Sequence, residues 1–410
     1  MPAHRRLGPR VSLPRPGPRA LTSALVTLAL VAIGLFATSA DRVESWYVEG
    51  LGPLITTPLI AVFRPLPTSV AEWLELGTGI AVVAWLIAAV VRLWRAEERV
   101  GLVLRLAGEA YSTVFAIIAL FYVVWGLAYA RPRLEDRMGW ASDETFDVDV
   151  WEFEALGEVL VQRVNASYLE LHQLPDIGHG TGTGFDPAAL DASLDVGWAR
   201  AARSLDLHPS TEVPRGRTKR LLSSGLFTWL GIGGFYFPFT GEANINTWAP
   251  AWQQPHTRAH EMSHQRFVAS ENEANFFGFL AAVHSDDPMA RYSGWLFAQR
   301  QVLRALIRLD AESGYERLFL RYPGVQRDVN EAHAFWTRYD GTLSDVGNAV
   351  NDAYLKINQV EGGTKSYGRS LRLIVRWARD CGMLPTDPHV AVPPTMGSCD
   401  PFPVEDVRSY

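Results

Sequence analysis

Residues 256–280 read HTRAHEMSHQRFVASENEANFFGFL, and no other stretch says as much about the architecture of the chain. Apolar positions recur at helical spacing on both sides of a break at 267–270, which predicts helices over about 257–266 and 271–284. Ser270 and Glu273, three residues apart, form a capping box at the start of the second helix. The sequence therefore predicts two consecutive helices joined by a short turn.

The first of these helices carries His260 and His264 four residues apart, with Glu261 between them. Side chains at this spacing project from one helix face, so both imidazoles can bind one zinc ion while Glu261 stands beside the zinc-bound water. Zinc would lower the pKa of that water, and Glu261 would act as general base and then as proton donor. The alternative is a helix with two surface or packed histidines.

A catalytic zinc ion takes three protein ligands and keeps one position open. Glu271 and Glu273 both follow the motif, and the capping role of Glu273 makes Glu271 the favoured third ligand, with Glu273 as the alternative. A continuous helix would carry Glu271 about 10 Å along its axis from His264, so the site requires a sharp turn. Asn275 would share the helix face of Glu271 and could hydrogen-bond a ligand.

The oxyanion of a transition state needs a donor in addition to the zinc ion. Tyr354, Tyr367 and Arg369 are the downstream candidates, and Tyr367 is favoured as the catalytic donor. The alternative for Tyr367 is a packed side chain with a satisfied hydroxyl. His256 could also lie near the metal, but Pro255 favours a position at the start of the helix.

Residues 226–248 are rich in aromatic and β-branched side chains and give the strongest strand signal in the chain. The stretch 239–246 could be an edge strand along which a peptide substrate pairs through backbone hydrogen bonds, or an ordinary strand of a sheet. A basic cluster precedes it and is interpreted as a solvated loop or a helix start. The cluster comprises Arg215, Arg217, Lys219 and Arg220.

The N-terminal third of the chain contains three long uncharged runs, at residues 20–40, 76–91 and 110–130. A helix rises about 1.5 Å per residue and a hydrocarbon core is about 30 Å thick, so the first and third can cross a membrane and the second can do so with its flanks. The first is interpreted as a retained anchor rather than a cleaved signal peptide. Residues 50–63 are shorter and contain two prolines, which favours an interfacial or re-entrant stretch.

Arginines precede the first run and follow the second, so the positive-inside rule places both regions in the cytoplasm. The predicted domains are a basic cytoplasmic tail at 1–19, a membrane domain with about three transmembrane helices at 20–130 and an extracytoplasmic domain at 131–410. This organisation predicts a multi-pass protein of the cell membrane. Cys381 and Cys399, the only cysteines, could form a disulfide in an oxidising compartment or remain free thiols.

The charges are distributed unevenly along the chain. Residues 1–133 carry 13 Arg and eight acidic residues, whereas the whole chain has a formal net charge of −6, so the rest is strongly acidic. An acidic body lacks the extended basic surface that nucleic acid requires. The expected partners are membrane lipid and a peptide or protein substrate, and the oligomeric state is left open.

The motif His260-Glu261-x-x-His264 followed by Glu271-x-x-Ala274-Asn275 resembles the gluzincin pattern of zinc metallopeptidases, in which a Glu on a second helix completes the zinc site. Asn275 stands where gluzincins usually have Asp. The gap between the second His and Glu271 is also shorter than is usual in gluzincins.

A larger part of the chain resembles an uncharacterised family of bacterial integral-membrane proteins with an HExxH motif. The similar stretches are 121–132, 237–246, the motif block through Asn275, and 351–367. This resemblance implies a membrane-anchored peptidase, and the family brings no established substrate.

The sequence thus predicts a mainly α fold in which N-terminal transmembrane helices precede a helical zincin-like domain with a small β-sheet. The predicted function is hydrolysis of peptide bonds by a zinc-activated water. The alternative is a non-catalytic envelope protein for binding or assembly, with a structural or vestigial metal site.

Overall fold

The computed structural model describes residues 18–140, 148–357, 368–385 and Cys399. This part of the chain is mainly helical, with apolar helices at its N-terminal end and one small three-stranded sheet, so the predicted fold class is confirmed. The basic tail before Pro18 and the predicted donor Tyr367 lie outside the described residues.

The N-terminal region consists of helices with short breaks. In chain order they are α1 (Pro18–Ala37), α2 (Ala40–Arg42), a π-helix (Val43–Leu51), α3 (Gly52–Phe63), α4 (Val70–Arg95), α5 (Arg99–Val124), a 3-10 helix (Gly126–Ala130) and α6 (Leu134–Arg137).

The remaining elements form the body of the protein. Its helices are α7 (Val150–His172), α8 (Pro187–Ser204), α9 (Ser224–Trp229), α10 (Gln254–His264), α11 (Glu271–Val283), α12 (Pro288–Leu309), α13 (Ala311–Leu318), α14 (Pro323–Arg338), α15 (Thr342–Ile357) and α16 (Gly368–Asp380). Its strands are β1 (Lys219–Arg220), β2 (Gly234–Phe237) and β3 (Glu242–Ile245), and short 3-10 helices lie at Pro209–Thr211 and Ala251–Gln253.

Helix α11 is the centre of the core. Every residue from Asn272 to Val283 is buried, because the sequence of this helix is apolar on nearly all faces. A helix of this kind is stable only when other elements surround it, and α8, α10, α12 and α16 pack around it. The helix that begins at Glu271 is therefore fixed on all sides.

The sheet has the order β1-β3-β2, with β1 parallel and β2 antiparallel to β3. The stretch 239–246, considered above as a possible edge strand, contains β3, which is the central strand. Of the two alternatives, the ordinary strand is therefore correct, and the strands at the edges of the sheet are β1 and β2. The predicted strand region, 226–248, also begins too early in the chain, because Ser224–Trp229 is helical.

Three helices are long and apolar enough to cross a membrane: Ala40–Phe63, taken as one continuous helix, Val70–Arg95 and Arg99–Val124. The segment Leu21–Ala37 is a shorter apolar helix. It packs along α5, where the Ser23 and Ser112 hydroxyl oxygens are 2.8 Å apart. These helices support the prediction of a membrane protein.

The Ala40–Phe63 helix differs from the other two in its surroundings. In its most apolar window 28% of residues are buried inside the protein, against 6% for α4 and α5, because it lies against the body. Arg215 of the body donates a hydrogen bond of 2.8 Å from Nη1 to Thr57 Oγ1. The predicted short stretch over 50–63 is thus the second half of a longer helix, which Pro58 does not interrupt.

The basic cluster is solvated only in part, because Arg217 and Arg220 are exposed whereas Arg215 and Lys219 are buried. Lys219 lies in β1, and its Nζ donates to the carbonyl oxygens of Phe63 and Arg64, at 3.0 and 3.1 Å, at the C-terminal end of α3. A cation at this end of a helix is favoured by its free carbonyls and dipole. The sequence could not reveal this role, since the carbonyls come from a segment 150 residues earlier in the chain.

Glu242 makes the complementary contact at the start of α4. Its Oε2 accepts hydrogen bonds from the N–H groups of Val70 and Ala71, at 3.0 and 2.9 Å. A carboxylate at a helix N-terminus satisfies free N–H groups. The sheet therefore binds both sides of the break between α3 and α4.

Cys381 and Cys399 form a disulfide, with their Cα atoms 5.2 Å apart. Of the two alternatives that the sequence left open, the bonded one is correct.

Candidate metal centre

A tight turn connects the two helices of the motif. Helix α10 ends at His264 and α11 begins at Glu271, with the Ser270 hydroxyl accepting a hydrogen bond from the N–H of Glu273. Between them Phe267 adopts a φ of 62°, in the left-handed region. The predicted sharp turn is therefore present, and it brings Glu271 back beside the first helix.

The left-handed conformation at Phe267 is held by the N-terminal region. A non-glycine residue in this conformation costs of order 1 kcal/mol or more, so it requires support from its surroundings. The Phe267 ring packs edge-on against Tyr47, with centroids 5.5 Å apart, and its carbonyl accepts a hydrogen bond of 2.9 Å from Arg131 Nη1. The turn thus depends on contacts with segments outside the body.

Three candidate ligands converge in space. His260 Nε2 lies 3.2 Å from His264 Nε2 and 3.2 Å from Glu271 Oε2, and His264 Nε2 lies 3.8 Å from Glu271 Oε1. Ligand atoms about 2.0–2.1 Å from a tetrahedral zinc ion are about 3.3 Å apart. The three side chains have the donor types and the spacing that fit one zinc ion.

Hydrogen bonds orient both imidazoles. His264 Nδ1 lies 2.6 Å from the carbonyl oxygen of Val268, and His260 Nδ1 lies 3.0 Å from Asn275 Oδ1. Because both partners are acceptors, each Nδ1 carries a proton, and each ring in its neutral form presents the Nε2 lone pair to the other ligands. The hydrogen bond predicted for Asn275 is present.

Close packing of α10 on α11 keeps these partners together. A Cβ atom at Gly278 would lie 3.1 Å from the His260 backbone nitrogen and 3.3 Å from His256 Nε2. Only a residue without a side chain allows the helices to approach this closely.

Glu261 lies between α10 and the edge strand. A Cβ atom at Gly234 of β2 would be only 2.9 Å from Glu261 Oε1 and 2.7 Å from the Asn244 carbonyl oxygen. The absence of a side chain at Gly234 therefore leaves room for the Glu261 carboxylate, which lines the same cavity as the three candidate ligands.

Burial and mutual charge shift the pKa values of this group. Burial raises the pKa of Glu261 to about 8 and lowers the pKa of His264 to about 4. Burial acts against both charges of the His260–Glu271 pair, but their mutual attraction outweighs it, so the pKa of His260 rises to about 8 and that of Glu271 falls to about 2. Glu271 is thus an ionised carboxylate aimed at two imidazoles, and a divalent cation there would favour its charge further.

Glu273, the alternative third ligand, points elsewhere. Its Oε1 accepts from the N–H of Leu134 at 2.9 Å, and its Oε2 lies 2.9 Å from Arg137 Nη2. These bonds occupy Glu273 at α6, and the group of possible ligands among the described residues contains Glu271 instead.

Of the three candidate oxyanion donors, only Arg369 can be compared with the site: it lies in the first turn of α16 and does not line the cavity. The side chain of Tyr354 and all of Tyr367 lie outside the described residues. His256, which the sequence left undecided, does line the cavity. Its ring stacks on Phe297 with centroids 3.7 Å apart, so it forms a wall of the cavity.

The ligand atoms face a cavity of about 600 Å³. One wall is the motif itself, another is the turn and edge strand from Gly231 to Tyr236, and a third is α15 at Val346, Gly347 and Asn348. Trp125, just after α5, closes the remaining side and donates a hydrogen bond of 2.8 Å from Nε1 to the His264 carbonyl oxygen. The cavity is large enough for part of a peptide.

Comparison with known protein families gives a match over most of the chain. The model of a family described as "Protein of unknown function (DUF3810)" matches residues 47–375, which include every element of the candidate metal centre. No curated protein and no solved structure matches the chain. Because the match covers most of its length, the chain belongs to this DUF3810 family.

Proposed function

We propose that this protein is a membrane-anchored zinc metallopeptidase that hydrolyses peptide bonds. The proposal is carried by the convergence of His260 Nε2, His264 Nε2 and the Glu271 carboxylate, at separations of 3.2 to 3.8 Å. Three protein ligands beside an open cavity are typical of catalytic zinc, whereas structural zinc has four protein ligands. No fourth His, Cys, Asp or Glu joins the group in the part of the chain that the structure describes.

Each residue has a role in this proposal. His260, His264 and Glu271 would hold zinc, which when bound supplies a Lewis acid and lowers the pKa of a water molecule. Glu261 would accept the proton of the attacking water and pass it to the leaving amine. Asn275 would keep the His260 ring in the orientation that presents Nε2.

The edge strand would position the substrate. Strand β2 pairs with β3 on one side only, and its Gly234 adjoins the Glu261 carboxylate. An extended peptide that added to the free edge of β2 would therefore run past Glu261 and the metal ligands. Because these hydrogen bonds join backbone groups only, substrates of many different sequences would bind in the same register.

We also propose that α1, α4 and α5 cross the membrane, while Ala40–Phe63 lies along the membrane-facing side of the body. Contacts at both ends of this helix support the arrangement: Arg131 of the segment leading into the body pairs with Glu44 at 2.5 Å, and Lys219 binds the carbonyl of Phe63. An odd number of crossings from a cytoplasmic N-terminus would make the body extracytoplasmic. A disulfide in the body fits that compartment.

The test uses the full chain purified in detergent and loaded with zinc. We expect about one zinc ion per chain and cleavage of a quenched fluorescent peptide library. Glu261→Gln should retain the metal and lose at least about a thousandfold in hydrolysis rate, because the general base is gone. Glu316→Gln, which alters a carboxylate that is 68% exposed, is the matched control and should be fully active.

Two results would reject the peptidase proposal. One is full activity of Glu261→Gln, and the other is zinc binding without cleavage of any library member by the unmodified chain. The second result would favour the alternative of a non-catalytic envelope protein in which the metal is structural.

A further inference from the structure

A second cavity, of about 270 Å³, lies beside the metal cavity. The two share Gly233, His256 and Thr257, so His256 and its neighbour form the partition between them. The far walls of the second cavity are aromatic, from Trp252, Phe297 and Trp336, and cationic. We refer to it below as the arginine cavity.

Arg300 and Arg304, one turn apart on α12, provide the positive charge of the arginine cavity. Neither guanidinium forms an ion pair or donates a hydrogen bond to any residue in the described ranges 18–140, 148–357 and 368–385. Burial, followed by repulsion from Arg304, lowers the pKa of Arg300 to about 10, so the Arg300 guanidinium remains charged at neutral pH. Two adjacent cations without a counter-charge destabilise each other.

Nearby groups add to this positive potential. Arg321 is buried, donates from Nε to Gln299 Oε1 at 2.9 Å, and has its pKa lowered to about 10 by burial and by Arg300. Within the described ranges, Arg300 is stabilised by the ring of Trp252, whose centroid is 5.4 Å from the guanidinium carbon. A cation over an aromatic face keeps its N–H groups free to bind an anion.

We propose that the arginine cavity is a subsite that binds a carboxylate of the peptide substrate, on the C-terminal side of the scissile bond. The inference rests on the proposed peptidase function. Two planar guanidinium groups are suited to paired hydrogen bonds with a carboxylate. The partial burial of Arg300 beside Trp252 and Phe297 strengthens such bonds at that guanidinium, because solvent screens them less.

The direction of the edge strand supports the assignment to the C-terminal side. Strand β2 runs from Gly234, beside Glu261, to Phe237, and Gly233 just before it borders the arginine cavity. A peptide pairing antiparallel to β2 would run from the Phe237 end toward Gly233. Residues after the cleaved bond would therefore extend toward Arg300 and Arg304.

The carboxylate could belong to the C-terminus of the substrate or to an acidic side chain, and three labelled pentapeptides distinguish these sources. They are an alanine pentapeptide with a free C-terminus, its C-terminal amide, and an amidated version whose last residue is Glu. Binding is measured by fluorescence anisotropy with the zinc-loaded full chain carrying Glu261→Gln, in which the peptides are not consumed. Each peptide is also tested with Arg300→Gln and Arg304→Gln added, and with Arg308→Gln as the control on the same helix.

We expect at least one carboxylate-bearing peptide to bind about tenfold more tightly than the plain amide, a difference of about 1.4 kcal/mol. The double arginine variant should abolish this preference, while Arg308→Gln, an exposed arginine outside the cavity, should keep it. Preference for the free C-terminus would identify a carboxypeptidase-like subsite. Preference for the Glu peptide alone would identify an acidic side chain as the ligand.

Equal binding of all three peptides would overturn the inference, as would a preference that survives in the double variant. Unfolding temperatures show whether the variants are folded, and replacement of either cation should not lower them, because it relieves repulsion. The outcome is separable from that of the peptidase proposal. Cleavage of the amidated and the carboxylate-bearing peptides at equal rates would reject the subsite and support the peptidase proposal. Preferential binding of a carboxylate-bearing peptide without any cleavage would support the anion-binding site and reject the peptidase proposal.

Discussion

Two hydrogen bonds decide which nitrogen of each candidate ligand faces the metal position. The Val268 carbonyl and Asn275 Oδ1 are acceptors, so they select the protonated Nδ1 of His264 and His260 respectively. Both Nε2 atoms then point inward before any ion binds. A preoriented pair of imidazoles binds zinc more tightly than a pair that must first rotate.

The hydrogen bond between Asn275 and His260 predicts how substitutions of Asn275 change zinc affinity. Asn275→Ala removes the acceptor, so we expect zinc affinity to fall about 10- to 100-fold. Asn275→Asp keeps an acceptor at the same position and should bind zinc at least as tightly as the unmodified chain, because a carboxylate is the stronger partner for His260. The measurement is competition with a chromophoric chelator. Equal affinity of the Ala variant would show that Asn275 does not orient the ring.

The sequence was a reliable guide to some of these residues and not to others. The two histidines were predictable because the spacing that brings them together is a property of one helix. The sequence separated Glu271 from Glu273 by a predicted capping box, and only half of that box forms: Ser270 caps the helix, but the Glu273 carboxylate does not return to the Ser270 N–H. Glu273 is instead bound by Leu134 and Arg137, more than 130 residues earlier in the chain. No local pattern contains that contact.

At the level of elements, the two helices of the motif were predicted correctly, whereas the sequence left open whether residues 239–246 form an edge strand or an ordinary strand of the sheet. Helical periodicity predicted the positions of α10 and α11 closely, because each helix buries residues along its own length. Which strand lies at an edge depends on pairing order, and β1, the two-residue strand that covers the far side of β3, has no pattern of its own. The arginine cavity was missed for a similar reason, since its walls come from four separate segments.

The close approach of Gly234 in β2 to Glu261 predicts that a side chain at this position lowers the rate of hydrolysis. Gly234→Ala places a Cβ 2.7 Å from the Asn244 carbonyl oxygen and 2.9 Å from Glu261 Oε1, so strand and carboxylate must move apart. Displacement of a general base by about 1 Å costs of order a hundredfold in rate. We therefore expect hydrolysis to fall by about this factor while zinc content is unchanged, as measured with the quenched peptide and by metal analysis.

Gly184→Ala is the matched control, because a Cβ at Gly184 meets no atom within 4 Å. It should leave both zinc content and hydrolysis unchanged. If Gly234→Ala also retained full activity, the close approach of β2 to Glu261 would have no part in catalysis.

At the scale of the whole molecule, the apolar helices and the body form one connected structure around the candidate metal centre. Glu242 holds the start of α4, Trp125 after α5 binds the carbonyl of His264, and Arg131 binds the carbonyl of Phe267 in the turn. The charge distribution separates a basic, apolar N-terminal region, residues 1–133, from an acidic body. It could not predict that this N-terminal region contacts His264 and Phe267 around the turn that positions Glu271.

These contacts also constrain how the chain can lie in a membrane. Helix α4 starts at the body and α5 returns to it, so the loop at residues 96–98 is at the far end of a helical hairpin. If the hairpin spans the bilayer, that loop and the body must be on opposite sides. The positive-inside rule, applied to the arginines at the ends of α4 and α5, then predicts that the loop is cytoplasmic.

Single cysteines test this arrangement in intact cells. Glu97→Cys places a thiol in the loop, and Glu316→Cys places one on the body at a side chain that is 68% exposed, while the native cysteines are joined in a disulfide and do not react. We expect a membrane-impermeant maleimide to label Glu316→Cys in intact cells and Glu97→Cys only after lysis. Labelling of Glu97→Cys alone would place the body in the cytoplasm, and equal labelling of both would mean that the hairpin does not span the membrane.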